Sequence, residues 1–256
     1  MITFKSPEEI EIMRQGGKIL TEIIKKLSEA VTPGIATKDL DKLSRELVFS
    51  YGVKPAFLGY GGFPATVCIS VNDEVVHGVP SARILKEGDI AGIDMGIIYQ
   101  GLNLDSAVTM PVLGNMSHEQ WAKENPELDK LLRVTKEALS IGIKQARAGR
   151  RVGEIGYAIQ EFVEKNSFSV VRDLVGHGIG YKLHEEPQVP NYGNPTDGSI
   201  LAEGMTIAIE PMVNVGDWHV KTGHDGFTYQ TYDGSYSAHF EHTILITRKN
   251  AEILTV

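Results

Sequence analysis

The feature of this chain that most narrows its fold is an internal repeat. Displaced by 115 residues, Gly34 falls on Gly149, Leu40 on Ile155, Glu46 on Glu161, Leu47 on Phe162 and Val48 on Val163. Displaced by 116, Glu87-Gly88 falls on Glu203-Gly204, Ile93 on Ile209 and Asp94 on Glu210. With further insertion, Leu104-Asp105 falls on Phe240-Glu241, and His77-Gly78 resembles His177-Gly178 at a displacement of 100. Chance similarity between two helix–strand stretches explains matched apolar residues. It explains matched acids inside apolar strands poorly, because that is the rarest place for them. Two repeat-related halves, about 1–114 and 128–256, are therefore expected.

Each half reads as helix, helix, strands. Ser6 caps a first helix, Pro7 suits its first turn and Glu9 sits at the capping-box position. Ile10, Met13, Leu20, Ile23, Ile24 and Leu27 recur at helical spacing until Thr32-Pro33-Gly34. Thr37 is expected to cap a second helix, with Leu40, Leu43, Leu47 and Val48 on one face and Gly52 as the stop. Residues 67–71, 89–98 and 102–113 then read as strands, the last two joined at Tyr99-Gln100-Gly101. Residues 115–127 are polar and read as a surface excursion. Helical spacing returns over 128–146 and 152–165, followed by a glycine-rich stretch at 176–180 and strands near 206–213, 227–232 and 236–247.

Charge and cysteine usage bound the setting. The net charge is −8 and the basic residues are scattered, with short runs only at Lys25-Lys26 and Arg150-Arg151. That disfavours nucleic-acid binding, which needs a basic face. Cys68 is the lone cysteine and cannot form an internal disulfide. No apolar run approaches the roughly 20 residues of a membrane helix, and residues 1–9 carry no apolar signal core. A soluble cytoplasmic protein is expected.

The chemistry sits in the acids. Asp94 lies in Ile90-Ala91-Gly92-Ile93-Asp94-Met95-Gly96, and Asp105 on the next strand. A hairpin turning near 99–100 sets them almost opposite each other on one face. Glu210 ends the strand Thr206-Ile207-Ala208-Ile209, and Glu241 precedes His242-Thr243-Ile244. An ionised acid in such a strand is costly unless paired or metal-bound, and a divalent cation removes the repulsion between neighbours. Singly, each acid reads as an edge or ion-pair residue; as two repeat-related pairs they do not. His177, in Gly176-His177-Gly178-Ile179-Gly180, and His184, in His184-Glu185-Glu186-Pro187, add imidazoles beside glycines that permit close backbone approach. One imidazole and four carboxylates suit two divalent ions such as Mn, Fe, Co or Zn, and without cysteine ligands the set reads as catalytic.

Asn72-Asp73-Glu74-Val75-Val76-His77-Gly78-Val79-Pro80, Gly176-His177-Gly178-Ile179-Gly180, His184-Glu185-Glu186-Pro187, Ile209-Glu210-Pro211-Met212 and Glu241-His242-Thr243 together resemble the motif set of type I methionine aminopeptidases, in order and spacing over nearly the whole chain. The resemblance implies the α/β (α+β) pita-bread fold: a curved antiparallel sheet covered by two pairs of helices, with an internal pseudo-two-fold, here one catalytic domain over 1–256. It implies metal ligands at Asp94, Asp105, His177, Glu210 and Glu241, with Asp105 and Glu241 bridging two ions. It implies substrate contacts at His77 and His184, and Glu210 as a proton shuttle. It also implies a sodium or potassium ion near Asn72, Glu74 and Ser237. The implied reaction removes the initiator methionine of nascent chains when the second residue is small, by an enzyme expected to be a monomer that meets the ribosome transiently. Tyr60, Phe63, Cys68 and Phe227 are expected to line the methionine slot. Phe227 stands where the family usually has Trp, Leu183 where an aromatic is common, and Gly61 and Phe63 replace a frequent His and Tyr; these departures touch the pocket's shape. Two rivals share the scaffold: a proline-directed peptidase and a non-catalytic binding module.

Overall fold

The computed structural model describes residues 2–256. Helix α1 (Pro7–Ala30) opens on the expected capping box: Ser6 Oγ accepts the Glu9 N–H, and the Glu9 carboxylate accepts the Ser6 N–H at 2.8 Å. Helix α2 (Thr37–Ser50) corrects the expectation for Thr37. Ala36 is its N-cap, without a side-chain cap, and Thr37 Oγ1 instead exchanges hydrogen bonds with the Ser81 backbone. The hydroxyl is drawn to the neighbouring loop because Ala36 already pairs with Ile84 there.

Strands β1 (Lys54–Pro55), β2 (Cys68–Val71), β3 (Glu74–Val76), β4 (Ile90–Tyr99) and β5 (Leu102–Pro111) follow. Gln100 and Gly101 have φ of 47° and 88°. Two successive positive φ values make a tight loop whose twist matches the strands it joins. The 115–127 excursion is not simply surface: it contains α3 (His118–Glu124), capped by Ser117, with Trp121 fully buried against the core of the second half. One large aromatic anchors an otherwise polar segment, and period counting does not see a single residue.

Helices α4 (Pro126–Gln145) and α5 (Val152–Lys165) precede β6 (Ser169–Val170), β7 (Gly176–Gly178), β8 (Glu185–Val189), β9 (Thr206–Ile209), β10 (Met212–Asn214), β11 (Val220–Thr222), β12 (Tyr229–Thr231), β13 (Ser237–His239), β14 (Glu241–Ile246) and β15 (Ala251–Ile253). Nine strands form one antiparallel sheet, in the order β1-β4-β5-β14-β9-β7-β8, with β2 on β4 and β15 on β14. The pseudo-two-fold is visible in individual bonds. Gly34 N–H donates to Leu85 O at 2.8 Å and Gly149 N–H to Leu201 O at 2.9 Å; Leu85 N–H donates to Ile35 O and Leu201 N–H to Arg150 O. α2 and α5 are each 14 residues long. β5 and β14 meet at the seam, where the Thr243 hydroxyl bonds both the N–H and the carbonyl of Asp105.

Strand alternation decides which face carries which chemistry. Ile93, Met95, Ile97 and Leu104 point into one core with Met13, Leu20 and Leu27 of α1. The approach is close: a Cβ on Gly16 would stand 2.6 Å from the Leu104 side chain, and one on Gly17 1.8 Å from the Leu254 carbonyl oxygen. Asp94 and Asp105 therefore point to the opposite face. Their register pairs Asp94 with Ala107 and Gly96 with Asp105, so they are diagonal neighbours rather than directly opposed.

Candidate metal centre

That opposite face floors a cleft of about 780 Å³ lined by Asp94, Asp105, His177, Glu210 and Glu241. β4 presents Asp94, β5 Asp105, β7 His177 and β14 Glu241; Glu210 lies between β9 and β10, where Pro211 ends the strand. One donor atom each of Asp105, His177 and Glu241 lies within 4.8 Å of the others. His177 Nε2 is 3.5 Å from Glu210 Oε1. His177 Nδ1 lies 2.9 Å from the Gly178 carbonyl oxygen. A carbonyl only accepts, so Nδ1 carries the proton and Nε2 offers a lone pair to the cluster.

The carboxyls are crowded and dry. Burial, with added repulsion from Asp105, pushes Asp94, Glu210 and Glu241 well above the ordinary carboxyl range. Burial pushes Asp105 up to about 7, restrained by the Ser106 N–H and by Asp94. Burial, and then the charge of His184, lowers His177 to about 3. Among the described residues, Asp94 Oδ1 and Glu241 Oε1 are buried without a hydrogen-bond partner. Buried oxygens are rarely left so, and a bound ion is one of the few explanations. The donor set, oxygens and a neutral imidazole, fits a borderline or hard divalent cation.

The expected substrate-contact and slot residues, His77, His184, Tyr60, Phe63, Cys68 and Phe227, line the same cleft. His184 packs edge-on against His177, ring centroids 4.2 Å apart, and its Nδ1 is 2.9 Å from Tyr60 Oη. Burial lowers His184 from its ordinary value. His77 has a φ of 58°, packs edge-on against Tyr229, and is lowered to about 4, by burial first and then by His184. Phe63 meets Phe227 edge-on at 5.6 Å, and both join Cys68 and Leu183 in an apolar cluster. Tyr60 stands at the rim, and Gly61 lines the cleft beside it. Burial raises the Cys68 thiol, with Asp94 adding to it, so this cysteine is inert wall.

Asn72, Glu74 and Ser237 lie together outside the cleft. Ser237 N–H donates to Asn72 O, Asn72 bonds Asp89 and the Ile90 N–H, and Glu74 accepts from Val71 N–H and from Arg83 at 2.8 Å. The side chains of Asn72 and Glu74 are thus already engaged.

One residue escapes the sequence reading. His239 is buried, its Nε2 has no hydrogen-bond partner among the described residues, and that atom is 3.7 Å from Glu210 Oε2. Burial holds it neutral, at about 3. The signal available was period two, since His239 precedes Glu241 by two along an extended run.

The model of metallopeptidase family M24 matches residues 11–248. A methionine aminopeptidase of Clostridium perfringens is 48% identical over 256 residues, covering 100% of this chain and 99% of its own. The chain belongs to the methionine aminopeptidases of family M24. Membership makes it an aminopeptidase-class hydrolase and carries a divalent-metal requirement to the cluster just described. The crystal structure of a methionine aminopeptidase from Thermotoga maritima superposes on this M24 peptidase with a TM-score of 0.93 at 48% identity, over 100% of this chain and 99% of that one. A prolidase from Pyrococcus horikoshii shares the fold alone, at a TM-score of 0.76 and 24% identity, and the chain spans 63% of its length. Among the described residues, no helix of this M24 peptidase is long and apolar enough to cross a membrane.

Proposed function

We propose that the chain is a cytoplasmic single-domain enzyme that removes the initiator methionine from new polypeptides when the second residue is small. The observation that carries this reading is one cleft holding both the acid–imidazole cluster and the slot of Phe63, Cys68 and Phe227. Such a slot suits an unbranched thioether, and burying an unpaired charge in it costs several kcal/mol. Asp105 and Glu241 would be shared by two divalent ions, with Asp94 on one and His177 and Glu210 on the other. When bound, the ions supply a water acidic enough to ionise near neutral pH and a positive charge against the peptide carbonyl.

The chain's own groups do the rest. Glu210 takes a proton at its carboxylate and returns it to the leaving amine. Tyr60 Oη lies 2.9 Å from His184 Nδ1; with Tyr60 as the donor of that bond, the proton of the neutral ring stands on Nε2. In that tautomer the Nε2–H of this cleft-lining residue would donate to the carbonyl oxygen, where charge develops. His77 donates near the scissile nitrogen. The test is hydrolysis of Met-Ala-Ser, Lys-Ala-Ser and Ala-Pro by metal-loaded protein. Free methionine is expected from the first, with little turnover of the others. Faster turnover of Ala-Pro would overturn this reading in favour of a proline-directed peptidase.

A further inference from the structure

The segment Gly180–Glu185 carries His184 but lies outside the repeat, so no equivalent in the other half supports it. Its support comes from the N-terminus. Lys5 Nζ lies 3.0 Å from Glu185 Oε2, and the two side chains are 0% and 5% exposed. Thr3 Oγ1 sits between them, accepting from Lys5 at 2.5 Å and donating to Glu185 at 2.5 Å. The other carboxylate oxygen, Oε1, accepts the Lys182 N–H at 2.9 Å and so closes the turn that precedes His184. The Lys5 alkyl chain lies across Gly180, where a Cβ would stand 2.1 Å from Lys5 Cε. From the other side, the Asn103 N–H and side-chain amide hold the Gly180 carbonyl at 2.7 and 2.9 Å. Lys5 is itself fixed by its N–H on Gly204 O at 2.9 Å.

Desolvating two charges offsets most of their attraction, so a buried ion pair is weak evidence for stability; its best-attested use is to fix one arrangement among several. We propose that the Lys5–Glu185 pair, with Thr3, is a positioning device that clamps the Gly180–Glu185 segment and thereby holds His184 at its working position. The catalytic part of this inference rests on His184 acting as the donor to the carbonyl oxygen. Glu185 lines the same cleft, but its side chain bonds only Lys5, Thr3 and the Lys182 N–H, and neither Lys5 nor Glu185 belongs to the apolar cluster of the slot. Their removal therefore acts on the chemical step and not on metal content or methionine binding.

The test is the double variant Lys5→Met/Glu185→Gln of the full chain, which removes both charges and leaves neither unpaired. It is expected to melt near the wild-type midpoint and to bind Mn as the wild type does. Amide protons of residues 181–186 should exchange faster. The kcat on Met-Ala-Ser should fall roughly 10- to 100-fold, the scale of an ångström-sized misplacement, while KM moves less than about threefold. A variant that keeps kcat within twofold, with unchanged exchange over 181–186, overturns the clamp. If the double variant does not fold, Thr3→Val loosens the same carboxylate, and the same two readouts decide. If wild-type protein cleaves no methionyl peptide, the functional reading fails; the exchange comparison still decides the clamp, which unchanged protection refutes.

Discussion

Chelate the protein and raise the pH from 7.5 to 8.5, and its stability should fall. Asp94, Glu210 and Glu241 are raised well above the ordinary carboxyl range and Asp105 to about 7, all by burial. In the unfolded chain every carboxyl is ionised above pH 6. The folded, metal-free protein therefore binds more protons than the unfolded chain, and stability declines as pH rises through the folded values. Five histidines work with the opposite sign. Burial lowers His77, His177, His239 and His242 to about 4, 3, 3 and 4, and lowers His184 as well, so their contribution to stability is lost as pH falls. Their effect ends once the unfolded imidazoles are neutral, which is why the window starts at 7.5. Within it, each proton the cluster retains costs about 1.4 kcal/mol per pH unit. For a domain of this size that is roughly 3–6 °C in Tm per retained proton. Thermal melts in chelator at pH 7.5, 8.0 and 8.5 read the slope directly. Added Mn should remove the carboxyls' share of it, because the cation replaces their protons; the smaller share of the buried Cys68 thiol, raised in the same sense, remains. A chelated protein whose Tm is flat or rises across the window would refute the account of a dry, proton-sharing carboxyl cluster.

Peptidase activity should vanish in chelator and return with Co or Mn; full activity in metal-free enzyme would end the metallopeptidase reading. Asp105→Ala and Glu241→Ala should each abolish binding of both ions, so two ions still counted by calorimetric titration in either variant would sink their assignment as bridges. His184→Ala should keep its metal and lose roughly 10²–10³ in kcat, whereas loss of an ion would make His184 a ligand. Trp121→Ala should destabilise the fold by about 3–5 kcal/mol, read by urea unfolding. A cost under about 1 kcal/mol would mean that α3 is not anchored as described.

What the sequence makes legible follows from how strongly each element is patterned. α5 matches its expected bounds because its apolar face repeats cleanly, with Gly149 shortly before it and Asn166-Ser167 after it. The acids stand out because each interrupts an apolar strand, and the structure gathers all of them in one cleft with His77, His177 and His184. Strands such as Val220–Thr222 and Glu185–Val189 escape notice because they are short and partly polar, formed by pairing with the adjacent strands β12 and β7 rather than by the preference of their own residues. The short helix around Trp121 is hidden for a related reason, since one buried ring has no period. Thr37 misleads because a hydroxyl at a helix start has a rival acceptor in a loop 44 residues away. The clamp on His184 is invisible in sequence because Lys5 and Glu185 are 180 residues apart and each is an ordinary charged residue by itself.

The seam between β5 and β14 also bears on how the molecule is made. A chain emerging N-terminus first finishes β5 about 130 residues before β14 exists, an interval of roughly 6–26 s at ordinary synthesis rates. For that time the first half exposes a ten-residue strand edge with no partner. Such an edge is a template for pairing with a second chain. Asp105 is a buried carboxyl tied to Thr243 in the finished protein; in the nascent chain, before β14 exists, it stands at that edge as a solvated charge. A substitution there to valine would improve the local strand pattern and, by the same step, remove the charge that discourages aggregation on the ribosome.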